Sequence, residues 1–326
     1  MTAAPLALEG HHPADWSEFV GQESAKSRLI TAARAAKSRN QRMAHTLIAC
    51  STPGIGKTSL ALLTSQELGR PVKVVSGTLK FNEARILLAM MGDGDTLIIE
   101  EIHRMVVGGK ANAEWLLHYL QNDVLVGPFG PEPAPKVTIL ATTTDAGKLP
   151  PPLLQRFIVQ PQLHPYTDTD GALIAVQLAG KILPPGVVLP SVAVSKQIAR
   201  AASNQPREMV QILSALSDLV AIGTLDGTDP EYDLAAALDW VGVTEDGLTS
   251  HCQAYLTVLV QELMGAPAGA KMMSERLGLV GAELSETERL LLNKGYIRKT
   301  PAGRMITGPG IQRARTLLEA KEETDE

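Results

Sequence analysis

The sequence predicts an α/β protein in which a parallel-sheet domain is followed by a small helical domain and a winged helix. Three features carry this reading. Short apolar runs alternate with helical stretches over the first half of the chain. The pattern turns helical after Pro161. The C-terminal region closes with a hairpin pattern behind three helices. The chain accordingly divides at 1–162, 163–243 and 244–326.

Glu23–Asn40 (ESAKSRLITAARAAKSRN) is rich in alanine and poor in breakers, so it reads as a helix. His45–Cys50 (HTLIAC) is a short apolar run, as a strand buried on both faces must be. Lys57–Leu68 reads as a helix, VKVVSG as a second strand, Asp95–Glu100 (DTLIIE) as a third and Lys136–Thr144 (KVTILATTT) as a fourth. Helices between successive strands supply the crossovers that parallel pairing requires. Beyond Pro161, DTDGALIAVQLAGKIL and PREMVQILSALSDLVAIG are helical segments parted by Pro and Gly. SHCQAYLTVLVQELMG, GAKMMSERLG and LSETERLLLNKGY follow as helices. In the last of these, Ser285 and Glu288 have the spacing of a capping box, and Gly295 is placed to end the helix. YIRKTPAGRMIT reads as two short strands around a Pro-Ala-Gly turn. Three helices and a hairpin make a winged helix-turn-helix, a DNA-reading module.

Composition narrows the function classes. Of 326 residues, 44% are hydrophobic and 20% charged, the balance of a globular protein. No apolar run reaches the ~18–20 residues of a membrane helix. The N-terminus has neither a basic start nor a long apolar stretch, so a cytoplasmic protein without a secretory signal or membrane association is expected. Cys50 and Cys252 lie far apart and read as buried thiols rather than a disulfide or zinc site. The net charge of −5 confines any nucleic-acid surface to a local patch. One stretch fits: Leu290–Leu318 carries Lys294, Arg298, Lys299, Arg304, Arg313 and Arg315 and no acid. His11 and His12 have no partner cluster and read as a disordered approach rather than metal ligands.

The segment Ser51–Ser59 (STPGIGKTS) matches the phosphate-binding loop G-x-x-x-x-G-K-[ST] except that Ser51 replaces the first glycine. It follows a predicted strand and opens a predicted helix, the context the motif requires. A helix N-terminus offers unpaired N–H groups and a partial positive charge to an anion. Gly54 and Gly56 allow positive φ and close approach of backbone to phosphate. Lys57 can reach the β- and γ-phosphates of ATP, and Thr58 can hold Mg²⁺. Ser51 precedes the part of the loop that wraps phosphate, so a small residue with an allowed φ suffices there. Downstream, the DTLIIE strand ends in Glu100 and Glu101, followed by His103. Glu100 suits the metal and Glu101 the polarising of an attacking water. His103 reads as structural or coupling.

These segments together resemble the RuvB family, AAA+ motors that drive branch migration of Holliday junctions. The resemblance runs from His12 to Leu318. HPADWSEFVGQE is similar to the segment that lines the adenine pocket, which implies nucleotide contacts from Phe19 and Val20. PGIGKT implies contacts from Pro53, Gly54, Ile55, Gly56, Lys57, Thr58 and Ser59. EEIHR is the acidic motif. ATTTDAGKLPPPLLQRF resembles the sensor-1 strand and arginine-finger segment, which implies Thr144 (Thr143 if the register slips by one) at the γ-phosphate and Arg156 as a finger reaching the neighbouring subunit's site. NQPRE implies Arg207 as sensor 2. GLTSHCQAYL and GYIRKTPAGRMIT resemble the family's winged helix, in which Arg304 would contact the DNA backbone beside Lys294, Arg298 and Lys299. The resemblance implies ATP and Mg²⁺ as cofactors, double-stranded or branched DNA as substrate, a hexameric ring and a RuvA-type partner.

Several positions depart from the family pattern. Ser51 and Glu100 replace a glycine and an aspartate, His12 an arginine, and Ala302 one of two wing arginines. NDVLVGPFGPEPAPKVTIL, which in the family holds a hairpin that docks on RuvA, is shorter and rich in proline, which leaves the RuvA partnership open. Two other readings also stay open: an AAA+ loader of a replication protein or clamp, and a nucleotide-switched DNA-binding scaffold with weak hydrolysis.

Overall fold

A computed structural model describes residues 11–107, 110–127 and 130–324. These fall into two compact units, Met1–Lys181 with Asn204–Val210, and Ile182–Ser203 with Gln211–Glu326.

The first unit is built on four parallel strands: β1 (Thr46–Ala49), β2 (Val72–Ser76), β3 (Thr96–Glu100) and β6 (Thr138–Thr143), in the order β1-β6-β3-β2. Between β3 and β6 in sequence lies an antiparallel hairpin, β4 (Val124–Gly127) with β5 (Gly130–Pro133), which pairs Val124 with Pro133. The segment marked as shortened therefore still forms a hairpin. Successive side chains of a strand point to opposite faces, and here both faces are buried. Leu47, Leu97, Ile99, Ile139 and Ala141 enter one core with Trp115, Tyr119 and Phe157. Their neighbours Ile48, Ile98 and Leu140 enter the other with Leu29, Leu60 and Phe19. The helices Glu23–Ser38 and Lys57–Leu68 supply that second layer, with Leu29 and Leu60 wholly buried. Continuous apolar runs in the sequence thus reflect strands with no solvent face.

The second unit contains the helices Val192–Ala201, Pro230–Val241, Ser250–Thr257, Ala270–Leu277 and Ala282–Asn293. The helix Pro206–Ala221 contributes its residues from Gln211 onward. Ser191, Asp229 and Thr249 cap three of these helices by accepting from backbone N–H groups. The hairpin β7 (Ile297–Thr300) with β8 (Gly303–Ile306) turns at Pro301-Ala302 as expected and is followed by the helix Gly308–Thr324. Cys252, Tyr255, Leu259, Leu291, Ile297 and Ala314 share one core that joins the helices to the hairpin.

The expected capping box at Ser285 and Glu288 is absent. The helix starts earlier, at Ala282 behind Gly281, and the Ser285 hydroxyl donates back to the Gly281 carbonyl at 2.9 Å. Glu288 is buried and serves the tertiary structure instead. Gly295 stands just past the helix with φ of 71°, the left-handed turn that ends it.

Candidate nucleotide site and nucleic-acid interface

At the carboxyl ends of β1, β3 and β6 the first unit opens into a cleft of about 1160 Å³. Parallel sheets place ligand sites there because the loops leaving the strands diverge. The loop after β1 and the start of the helix Lys57–Leu68 form its floor. Lys57 is 6% exposed, and its ammonium donates to the carbonyls of Cys50 at 3.2 Å and Thr52 at 3.0 Å. Burial lowers its pKa, with Glu101 opposing. A cation partly stripped of water and turned onto its own loop's carbonyls is ready to exchange them for phosphate oxygens.

The loop's shape fits a phosphate. Gly54 and Gly56 have φ of 68° and 95°. A Cβ at Gly54 would come within 3.0 Å of Arg207 Cβ, and one at Gly56 within 3.0 Å of the Phe19 ring. Ser51 is exposed, does not line the cleft and is not among the positive-φ residues. No glycine is needed there, as the sequence suggested.

Above the loop, the Thr58 hydroxyl donates to Glu100 Oε1 at 2.6 Å. The longer Glu100 side chain thus reaches the position that a divalent cation would share with Thr58, and the oxygen-only donor pair suits a hard ion. Glu101 has φ of 49°, and its Oε2 accepts from the Thr144 N–H at 3.0 Å and hydroxyl at 2.8 Å, with His103 Nδ1 at 3.1 Å. Thr144 lines the cleft. Thr143 is fully buried and its hydroxyl meets His103 Nδ1 at 2.9 Å. Of the two threonines, Thr144 is the one that faces the cleft.

Phe19, Val20, Pro53 and Ser59 line the cleft, as does Arg207 from the start of the helix Pro206–Ala221. Ile55 does not; its side chain is buried, and its carbonyl accepts the Tyr166 hydroxyl. Arg156 also lies outside the cleft lining. Its Nη2 donates to Gln121 at 2.9 Å, and its Nε has no hydrogen-bond partner among the described residues.

Two residues that sequence reasoning set aside or passed over belong here. His12 is ordered: its Nδ1 meets the Ser59 hydroxyl at 2.7 Å, and burial lowers its pKa, with Glu100 opposing. Tyr166 donates to the Ile55 carbonyl at 3.0 Å from 111 residues away, and burial raises its pKa. Neither has a local signal, since each is brought to the loop by the fold.

In the winged helix the predicted cations differ in what they touch. Arg298 and Lys299 on β7 are exposed. Lys294 is half-buried, and burial lowers its pKa with Asp246 opposing. Arg304 is partly exposed and pairs with Glu288, its Nε 2.8 Å from Oε1.

The family described as the Holliday junction DNA helicase RuvB P-loop domain matches residues 11–163, and the RuvB C-terminal winged helix domain matches 245–314. The chain is 31% identical over 301 residues to the Holliday junction branch migration complex subunit RuvB of Oenococcus oeni, covering 89% of this chain and 86% of that one. It is 31% identical over 310 residues to that of Kosmotoga olearia, covering 90% and 87%. The Thermotoga maritima RuvB Holliday junction branch migration motor superposes with a TM-score of 0.78 at 28% identity, covering 93% of this chain and 98% of that chain. Among the described residues no helix is long and apolar enough to cross a membrane. With the P-loop cleft, the acidic strand end and the winged helix all in place, the chain belongs to the RuvB family, as a nucleotide-binding P-loop ATPase of the Holliday junction branch migration motor class.

Proposed function

We propose that this chain hydrolyses ATP with Mg²⁺ as one subunit of a hexameric cytoplasmic ring and uses the energy to drive branched duplex DNA through that ring. The domains in this reading are an ATPase core over 1–162, a helical lid over 163–243 and a winged helix over 244–326. The observation that carries it is the gathering of Lys57, Thr58, Glu100, Glu101, Thr144 and Arg207 on one cleft while Arg156 stands outside it.

Each group has one task. Lys57 and the N–H groups of the loop hold the β- and γ-phosphates, and Thr58 and Glu100 hold the metal. Bound Mg²⁺ would neutralise charge on the transferring phosphoryl group. Glu101 orients water once Thr144 releases its carboxylate, and Thr144 then turns to the γ-phosphate. Phe19 and Val20 flank the base. Arg207 senses the phosphate from the lid side. Arg156 enters the neighbour's cleft, where a guanidinium supplied in trans stabilises charge in the transition state. Because a finger so placed serves a site it does not belong to, turnover depends on assembly. Lys294, Arg298, Lys299 and Arg304 grip phosphates without reading sequence, as a motor on any junction requires.

The test is ATP-dependent branch migration on a synthetic four-way junction, with and without a RuvA-type protein. Migration that is lost in Lys57→Ala supports the proposal. ATP turnover that a protein partner stimulates and junction DNA does not would favour a loader instead.

A further inference from the structure

The backbone that carries Arg156 is fixed, while its side chain is held at a single point. Leu153 and Phe157, on either side of it, are buried in the core that also takes Trp115 and Tyr119 of the helix Lys110–Asn122. The Arg156 N–H donates to the Leu153 carbonyl at 3.2 Å. The Gln160 amide donates to the carbonyls of Leu154 at 3.0 Å and Phe157 at 2.9 Å, which pins the turn that follows. Among the described residues the guanidinium has one hydrogen-bond partner: Nη2 donates to Gln121 Oε1 at 2.9 Å. Gln121 is exposed, stands next to last in its helix and does not line the cleft of its own subunit. Directly beyond that helix Asp123 pairs with Arg42, which fixes the end that carries Gln121. Two rigidly mounted elements thus meet through one side-chain contact.

We infer that Gln121 is a positioning residue for the arginine finger: its amide oxygen aims the Arg156 guanidinium and leaves the charge free for the neighbouring subunit's nucleotide. This rests on the reading of Arg156 as a finger acting in trans. A long side chain has many rotamers to lose, and a tether already made in the free subunit removes part of that cost before a phosphate arrives. The tether takes one of several N–H donors, so the guanidinium keeps others to give. A neutral acceptor suits the task, since it holds the group without competing as a carboxylate would against a phosphate. Aim matters here because a shift of about 1 Å in a reacting or stabilising group can cost on the order of a hundredfold in rate.

The test is steady-state ATP turnover of the full-length protein, with variants alone and mixed. Gln121→Ala should lower kcat about tenfold and leave KM and equilibrium ATP affinity unchanged, because its own cleft is intact. Gln121→Glu keeps an acceptor at the same reach and should stay within about threefold of wild type. Mixed with Glu101→Gln subunits, Gln121→Ala should exceed the turnover of either variant alone, since some interfaces then join an intact Glu101 to a well-aimed finger. Mixed with Arg156→Ala subunits, it should never exceed Gln121→Ala alone, because every finger is then absent or misaimed. A subunit that merely folds or assembles poorly would give no gain with Glu101→Gln. The inference is overturned if Gln121→Ala turns over like wild type, if Gln121→Glu falls as low as Gln121→Ala, if the mixture with Glu101→Gln shows no gain, or if the mixture with Arg156→Ala does. If Arg156→Ala and Glu101→Gln fail to complement each other, the finger in trans itself fails, and the inference with it.

Discussion

The nucleotide cleft and the wing treat their charges in opposite ways. In the cleft, Lys57 leans on backbone carbonyls, Thr58 on Glu100 and Glu101 on Thr144. Each is a contact that a phosphate, a metal or a water can replace. In the winged helix, Arg304 is paired with the buried Glu288, and Arg313 with the part-exposed Asp246. The same residue types at the same density therefore mean different things. A charge held by an exchangeable partner is readily available; a charge paired with a buried acid is costlier to free.

The contrast extends to acid. His45 is buried in the first unit, and its Nδ1 accepts the Ile139 N–H at 3.1 Å. Burial, with Arg42 adding to it, lowers its pKa to about 3. A folded pKa below the unfolded value of about 6.5 means that stability is complete above pH 6.5 and is lost as pH falls toward 3, by up to about 1.4 kcal/mol per pH unit. In the second unit, Asp246 is held below the usual carboxylate range: burial pushes it up, but hydrogen bonds from Arg313, Thr244 and Tyr296 outweigh that. Its contribution is present above about pH 4 and is lost only as pH falls below that. Urea unfolding at pH 7 and pH 5, followed segment by segment with hydrogen exchange, should show the sheet unit weakened and the wing unchanged. His45→Gln should remove most of the difference. Equal weakening of both units would erase the distinction.

The smallest effect is expected at the residue that looks most damaging in the sequence. Ser51→Gly should change ATP affinity and stability by no more than about 0.5 kcal/mol, as for a surface site without special backbone geometry. Equilibrium titration with a fluorescent ATP analogue measures it. A large gain in affinity would mean that the loop is impaired as it stands, and that its charges are less available than their geometry implies.

Much of this was legible in the sequence. The parallel strands showed because strands buried on both faces leave continuous apolar runs, and the phosphate loop showed because its chemistry is local. The wing hairpin showed through its Pro-Ala-Gly turn. What stayed hidden depends on distant partners. His12 looked like a loose approach until the fold brought Ser59 to it, and Tyr166 carries no signal at all. Ser285 and Glu288 have capping-box spacing, but Glu288 is buried and pairs with Arg304, and a tertiary ion pair outweighs a local cap worth about 1 kcal/mol. Arg304 shows the same limit, since its charge can be counted from sequence but its partner Glu288 cannot.

The central claim is that the cleft is left chemically incomplete in one subunit and is completed by a neighbour's Arg156. Steady-state ATP turnover of mixed subunits tests it most directly. Arg156→Ala and Glu101→Gln, each alone, should lose about a thousandfold or more in turnover. Mixed together, they should recover activity that peaks at an intermediate ratio, because some interfaces then join an intact Glu101 to an intact Arg156. Turnover that stays at the level of the single variants at every ratio would contradict the account.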